Sequence, residues 1–152
     1  MEQVDVYTDG GCHTCSGVGG WAVIVYEGSR PIEMSGHEAG TTNQRMELRA
    51  AIEGLKRLEN PRRVRLFSDS AYLINGMNQQ WYLKWEQNGW KNSKKKPVEN
   101  PDLWKELVEL SRFHNVTWMK VKGHAGIPAN ERCDALVRLE MTNGLKRSAQ
   151  VK

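Results

Sequence analysis

Several things are missing from this chain. No apolar run approaches the roughly 20 residues needed to cross a bilayer, so no membrane-spanning helix is expected. The opening residues, Met1-Glu2-Gln3-Val4-Asp5, lack the basic and then apolar pattern of a secretory leader. The expected location is the cytoplasm, with no membrane partner. Cysteine is scarce: Cys12, Cys15 and Cys133 form an odd set that cannot complete a disulfide framework, in keeping with a reducing compartment. Internal repeats, low-complexity tracts and Ser/Gly linkers are absent, which leaves one domain. The 152 residues are 39% hydrophobic and 26% charged, the balance of a globular protein rather than a disordered one. Lys and Arg number 22 against 18 Asp and Glu, a net charge of +4. That excess is compatible with a polyanionic partner but is weak evidence alone. No unclaimed apolar stripe is left for a second copy, so a monomer is expected.

The period of the pattern divides the chain. Val4, Val6 and Thr8 alternate with Asp5 and Tyr7, as in a half-buried strand ending at Asp9, with Gly10-Gly11 as a break. Trp21–Tyr26 and Ile32–His37 read as two more strands of a meander, separated by a turn at 27–31. Leu48, Ala51, Ile52, Leu55 and Leu58 then share a helix face, with Thr42 or Asn43 as cap and Asn60-Pro61 as stop. Val64–Ser68 is a strand, and Ser70 caps a short helix towards Met77. Asn100-Pro101-Asp102 reads as a helix start, with a cap, a proline at the first position and an acid in the first turn. Val116–Lys122 is the last strand, and the final helix is expected from Pro128 to Glu140. The tail, residues 142–152, is polar and basic and is expected to be disordered. The order of elements implies a mixed sheet covered by helices, an α/β fold.

Four acids could face a common site. Asp9 and Asp69 sit at the carboxyl ends of expected strands, where ligands of open α/β sheets lie. Glu47 opens the first long helix, and Asp134 lies within the last. Each has an ordinary reading: a turn residue, a complement to a helix dipole, a capping neighbour, a surface acid. Periodicity alone does not bring them together. Were they to converge, a cation would be needed to hold all of them ionised, and hard oxygen ligands suit Mg²⁺ or Mn²⁺. Two such ions about 4 Å apart can drive an in-line phosphoryl displacement.

The segments Tyr7-Thr8-Asp9-Gly10-Gly11-Cys12, Thr41-Thr42-Asn43-Gln44-Arg45-Met46-Glu47-Leu48, Ser68-Asp69-Ser70, Val121-Lys122-Gly123-His124-Ala125-Gly126 and Asn130-Glu131-Arg132-Cys133-Asp134 resemble those of bacterial type 1 ribonuclease H. The likeness covers roughly residues 3–140, in the right order and spacing. It implies the ribonuclease H-like fold, a five-stranded mixed sheet flanked by helices, with a catalytic domain over 1–141. It implies an endonuclease that cuts the RNA strand of RNA–DNA hybrids, using two Mg²⁺ ions for which Mn²⁺ can substitute. Asp9, Glu47, Asp69 and Asp134 carry over as metal ligands. By that likeness Asp9 would bridge both ions, Glu47 and Asp69 would complete one site, and Asp134 would help hold the other. His124 carries over as a loop histidine that relays protons or helps product leave. Thr42 and Asn100 match positions that hold a DNA phosphate, and Asn43 one near the RNA minor groove. Polar groups near Cys12, Asn43 and Glu47 would sense the 2′-hydroxyl, the only group that tells RNA from DNA there.

The stretch from Trp81 to Pro101 interleaves Trp81, Trp85 and Trp90 with Lys84, Lys91, Lys94, Lys95 and Lys96. Lysines can neutralise phosphates, and flat rings can pack on sugars or bases. Trp81 and Trp85 are also spaced for one helix face, so at least one is expected in the core. The stretch resembles the basic protrusion that grips DNA in this family, but Glu86-Gln87-Asn88 stands where basic residues are common, so a weaker grip is expected. Cys15-Ser16 and Ala71 depart from the family pattern outside the metal set. Cys12-His13-Thr14-Cys15 fits C-x-x-C, yet zinc would need two further ligands, and a loop disulfide under oxidising conditions is the other option. The competing readings are a non-catalytic hybrid binder of the same fold, a detached reverse-transcriptase domain or DNA nuclease, and a generic single-strand binder. Intact acids and the protrusion favour the free-standing enzyme.

Overall fold

A computed structural model describes residues 3–28, 30–123 and 126–151, except for the side chains of 148–151. The elements, in order, are β1 (Gln3–His13), β2 (Val18–Glu27), β3 (Arg30–Glu38), α1 (Asn43–Lys56), β4 (Arg63–Ser68), α2 (Ala71–Asn78), α3 (Trp81–Gln87), α4 (Pro101–Phe113), β5 (Asn115–Lys120) and α5 (Pro128–Val151). They build a five-stranded sheet in the order β3-β2-β1-β4-β5. The β1–β2–β3 meander is antiparallel, while β4 and β5 run parallel to β1. This is the mixed α/β sheet expected from the order of elements. Each parallel connection passes through helices, as parallel pairing requires.

The two faces of the sheet bury different cores. On one, Val4, Val6, Val23 and Leu66 pack with Leu48, Ile52 and Leu55 of α1 and Trp104 and Leu107 of α4, all essentially without solvent contact. On the other, Ala22 and Ile24 meet Cys133, Leu136 and Val137 of α5. Each large apolar side chain so buried contributes about 1.5–3 kcal/mol relative to exposure. Among the described residues, no helix is long and apolar enough to cross a membrane.

Several boundaries differ from expectation, and glycine explains most of them. β1 does not stop at Asp9 but continues through Gly10-Gly11 to His13, paired with β2 throughout. A side chain at Gly10 would meet the α1 backbone, with Glu47 N only 2.5 Å from its Cβ. At Gly19 it would strike Thr41, and at Gly20 the Val137 carbonyl. These glycines lie in strands and admit helices; they do not break the chain. Asn60-Pro61 does not end α1, which stops at Lys56 with Arg57 as its C-cap. β5 ends at Lys120, two residues short of the expected Lys122.

The largest correction concerns the last helix. It does not end at Glu140, and the tail expected to be disordered is helical through Val151. Gly144 is buried so closely against β2 and β3 that a Cβ there would lie 3.1 Å from the His37 ring. Glu140 fixes the helix to β3, accepting from Ser35 Oγ (2.6 Å) and pairing with His37 Nδ1 (3.0 Å).

His114, between α4 and β5, joins three elements from a nearly fully buried position. Its Nδ1 accepts from the Arg62 backbone N–H (3.1 Å), so Nε2 carries the proton donated to the Leu55 carbonyl at 3.1 Å. Burial, with Arg62 nearby, pushes its pKa below the usual histidine value, although the Leu55 bond opposes this.

Candidate active site

Four elements deliver the four acids. Asp9 stands on β1 opposite Ala22 of β2, and its Oδ1 accepts from the Gly10 N–H at 3.0 Å. Because α1 lies directly on Gly10, the first turns of that helix bring Glu47 against the same strand. Thr42 caps α1 as expected, its side chain accepting from Arg45 N at 3.1 Å. Asp69 follows the last residue of β4, and Ser70 caps α2 by accepting from Leu73 N. The segment after β5 folds back here: Val121 N–H donates to the Ser68 carbonyl at 2.9 Å, and Gly123 sits where a Cβ would lie 3.0 Å from Asp69 Oδ2. Asp134 is in the second turn of α5, paired with Arg138 one turn on at 3.0 Å. His124 lies outside the described residues.

The charges of these acids act on one another. Burial raises the Asp9 pKa to about 7, and the charges of Asp69, Asp134 and Glu47 add to the rise, against the Gly10 hydrogen bond that lowers it. Burial also raises Glu47, opposed by a hydrogen bond from Ser70, with Asp69 adding to the rise. Among the described residues, no three acidic, histidine or cysteine side chains close into a ready-made cage. The set is convergent, with Asp134 turned to Arg138. Its chemistry fits a hard divalent cation: oxygen donors, like charges that oppose full ionisation, and a half-buried central carboxylate that a cation would keep ionised.

The other expected contact residues fall in two groups, one at the end of β1 and the start of α1 and one in the segment 81–100. Cys12, at the end of β1, donates its N–H to Asn43 Oδ1 (2.6 Å) on the first turn of α1. Its thiol leans on the Thr41 carbonyl at 3.4 Å, and burial raises its pKa. Asn100 is not the side-chain cap expected of it: the residue is left-handed (φ 55°), and its side chain turns sideways to Tyr72 and Arg45. Trp81 is half-buried against the core, with Trp85 and Trp90, and stacks obliquely on Tyr72 and Trp104. All three tryptophans thus anchor the protrusion. Lys84, Lys95 and Lys96 are exposed on it, where Asn92 Oδ1 accepts from the Lys94 and Lys96 backbone N–H groups and shapes the lysine turn. Glu86 is held by Arg112 of α4 in a two-bond pair of 2.8 and 2.9 Å. Cys15 is exposed and Cys133 is buried, its thiol pushed up to about 12 mainly by burial.

Sequence reading missed Ser70 as a partner of Glu47, and Arg45, Tyr72 and Asp102 as partners around Asn100. The Asp134–Arg138 pair was legible in principle, since residues four apart share a helix face. Arg45 and Asp102 lie 57 residues apart, and no local pattern joins them.

An α/β domain with a β3-β2-β1-β4-β5 sheet and four acids gathered around its central strand belongs among the nucleases of ribonuclease H-like fold. Comparison with known proteins gives the family: the RNase H family pattern matches residues 1–142, and the chain belongs to the ribonuclease H family. It is similar to the ribonuclease H of Symbiobacterium thermophilum, 51% identical over 144 residues that cover 95% of this chain and 98% of that one. The ribonuclease H of Moorella thermoacetica is 52% identical over 138 residues, 91% of each chain. Among solved structures, LC9-RNase H1, described as a type 1 RNase H with the type 2 active-site motif, superposes with a TM-score of 0.82 at 32% identity. That match covers 95% of this chain and 74% of the other.

Proposed function

We propose that this nuclease hydrolyses internal phosphodiester bonds in the RNA strand of RNA–DNA hybrids, acting as a cytoplasmic monomer. The observation that carries the reading is the half-buried Asp9, whose carboxyl is acted on by the charges of Asp69, Asp134 and Glu47. Asp9, Glu47, Asp69 and Asp134 would hold two divalent ions, Mg²⁺ with Mn²⁺ as a substitute. Bound there, such ions supply a nucleophile from water near neutral pH and offset charge on the leaving oxygen. In-line attack of water on phosphorus leaves 5′-phosphate and 3′-hydroxyl ends.

The chain's own groups prepare that chemistry. Gly10 N–H orients Asp9 by a hydrogen bond to its carboxylate, and the nearby Ser70 hydroxyl favours the ionised form of Glu47. Lys84, Lys95 and Lys96 neutralise phosphates of the DNA strand, which makes binding weaken with salt. Thr42 and Asn100 take a DNA phosphate, while Cys12 and Asn43 read the sugar edge of the RNA. His124, matched by the family likeness, would take or deliver a proton.

The test is an end-labelled hybrid incubated with Mg²⁺, Mn²⁺ or EDTA, beside single-stranded RNA and duplex DNA. Metal-dependent cutting of the hybrid's RNA strand alone is expected, and Asp69→Asn should abolish it while leaving the circular dichroism spectrum unchanged. Binding without cutting in either metal would replace the enzyme with a hybrid-binding protein.

A further inference from the structure

Asn100 occupies an unusual place. It precedes α4 with a left-handed backbone, a conformation that costs a non-glycine residue energy and persists only where surroundings enforce it. What enforces it is a fixed set of contacts. Arg45 of α1 donates from one guanidinium nitrogen to Asn100 Oδ1 (3.3 Å) and Asp102 Oδ1 (3.1 Å), and from the other to Asp102 Oδ2 (2.8 Å). On the opposite side, Asn100 Nδ2 donates to the Tyr72 hydroxyl at 3.2 Å. That hydroxyl also accepts from Nε1 of the fully buried Trp104 at 2.8 Å, so it cannot swing away cheaply.

The direction of the amide follows. A guanidinium has only donors, so the Asn100 atom facing Arg45 must be the oxygen, and the NH₂ must lie on the Tyr72 side. One of its hydrogens goes to Tyr72, which leaves the other for a ligand acceptor. Arg45 is itself fixed in direction by Asp102, whose carboxyl the Arg45 hydrogen bonds hold down to about 2. The Arg45–Asp102 pair is too exposed to be there for stability: Asp102 is 61% open to solvent, and such pairs contribute about 0–1 kcal/mol.

We infer that Arg45, clamped by Asp102, is a positioning residue that fixes the orientation of the Asn100 amide and so presents an N–H to an anionic oxygen of the substrate. The inference rests on the reading of Asn100 as a phosphate contact. It makes Arg45 irreplaceable by lysine, because an ammonium is a point donor that cannot span Asp102 and Asn100 in one plane.

The test is a double-mutant cycle of wild type, Arg45→Lys, Asn100→Ala and the combined variant. Each is read by KM and kcat on the hybrid, by Kd for the hybrid in EDTA, and by thermal unfolding. Arg45→Lys is expected to raise KM and Kd about tenfold, the worth of one charge-assisted hydrogen bond, with kcat little changed and the unfolding midpoint close to wild type. Asn100→Ala should do the same, and the combined variant no worse. A methylphosphonate scanned along the DNA strand should find one position whose neutralisation weakens wild type but not the variants. Losses that multiply in the combined variant, or a fall in kcat at unchanged KM, would overturn the assignment. Failure of cleavage alone would strike the proposed reaction, since the Kd cycle in EDTA reads Arg45 independently of it.

Discussion

The sheet that carries Asp9 and the protrusion between residues 80 and 100 are built on opposite principles. In the sheet, β1 is paired on both sides, and its inward side chains Val4 and Val6 are almost wholly buried. In the protrusion, an aromatic anchor of Trp81, Trp85 and Trp90 secures a polar turn whose lysines face solvent. Every described non-glycine residue with positive φ (Gln80, Trp90, Lys95 and Asn100) falls in that second region. The difference teaches where each kind of strain is kept. The sheet holds electrostatic strain, with like charges crowded on a rigid frame. The protrusion holds backbone strain, spread over four residues from Gln80 to Asn100.

The largest effect should come from relieving the first kind. Asp9 keeps its proton to about pH 7 in the folded protein but loses it near its ordinary value of 3.8 when unfolded. Folding therefore binds the proton more tightly, and stability in EDTA should fall as pH rises from about 4 to about 7. Asp9→Asn should lose activity by at least about a thousandfold yet unfold at higher temperature than wild type at pH 8 in EDTA. Added Mg²⁺ should narrow that gap by stabilising only the wild type. Equal pH profiles for the two proteins in denaturant melts would show that the acids do not oppose one another.

A middle-sized effect tests the frame itself. His114 is neutral when folded, with its pKa below the usual value, so the unfolded chain takes up a proton that the folded one refuses. Its contribution is complete above the unfolded value of about 6.5 and is lost as pH falls below it. Urea midpoints for His114→Asn should be lower than for wild type at pH 8, with the difference shrinking towards pH 5. A constant difference would mean that packing alone accounts for this residue.

The smallest effect belongs to the protrusion. Lys95→Gly removes the cost of a left-handed lysine at φ 62° and should stabilise the protein by about 0.5–1 kcal/mol, less the extra freedom glycine gives the unfolded chain. Hybrid affinity should drop slightly, with a shallower salt dependence, because one phosphate contact goes with the lysine. A lowered melting temperature would mean that the turn is held by the lysine side chain and not merely tolerated.

What could be read beforehand follows the same division. Strand alternation and the caps at Thr42 and Ser70 depend on near neighbours and were legible, whereas Asp9, expected at a strand end, lies within β1. Gly10 was misread as a break because its reason is distant: it is small for a helix 36 residues away, at Met46. The same blindness shortened α5, whose last turns gain from Gly144 meeting Val18 and His37. Asn100 looked like a cap because its residue type and the following proline fit one, yet its side chain is taken by partners on α1 and α2. The convergence of the acids needed the fold, or a likeness to proteins that share it.

Gly10 also sets a tolerance. With no side chain at Gly10, β1 meets α1 there backbone on backbone, which fixes how close the Asp9 and Glu47 main chains come. Side chains can change rotamer with temperature or ligand; two touching main chains cannot. The interval between the main chains that carry Asp9 and Glu47 is therefore set by the frame.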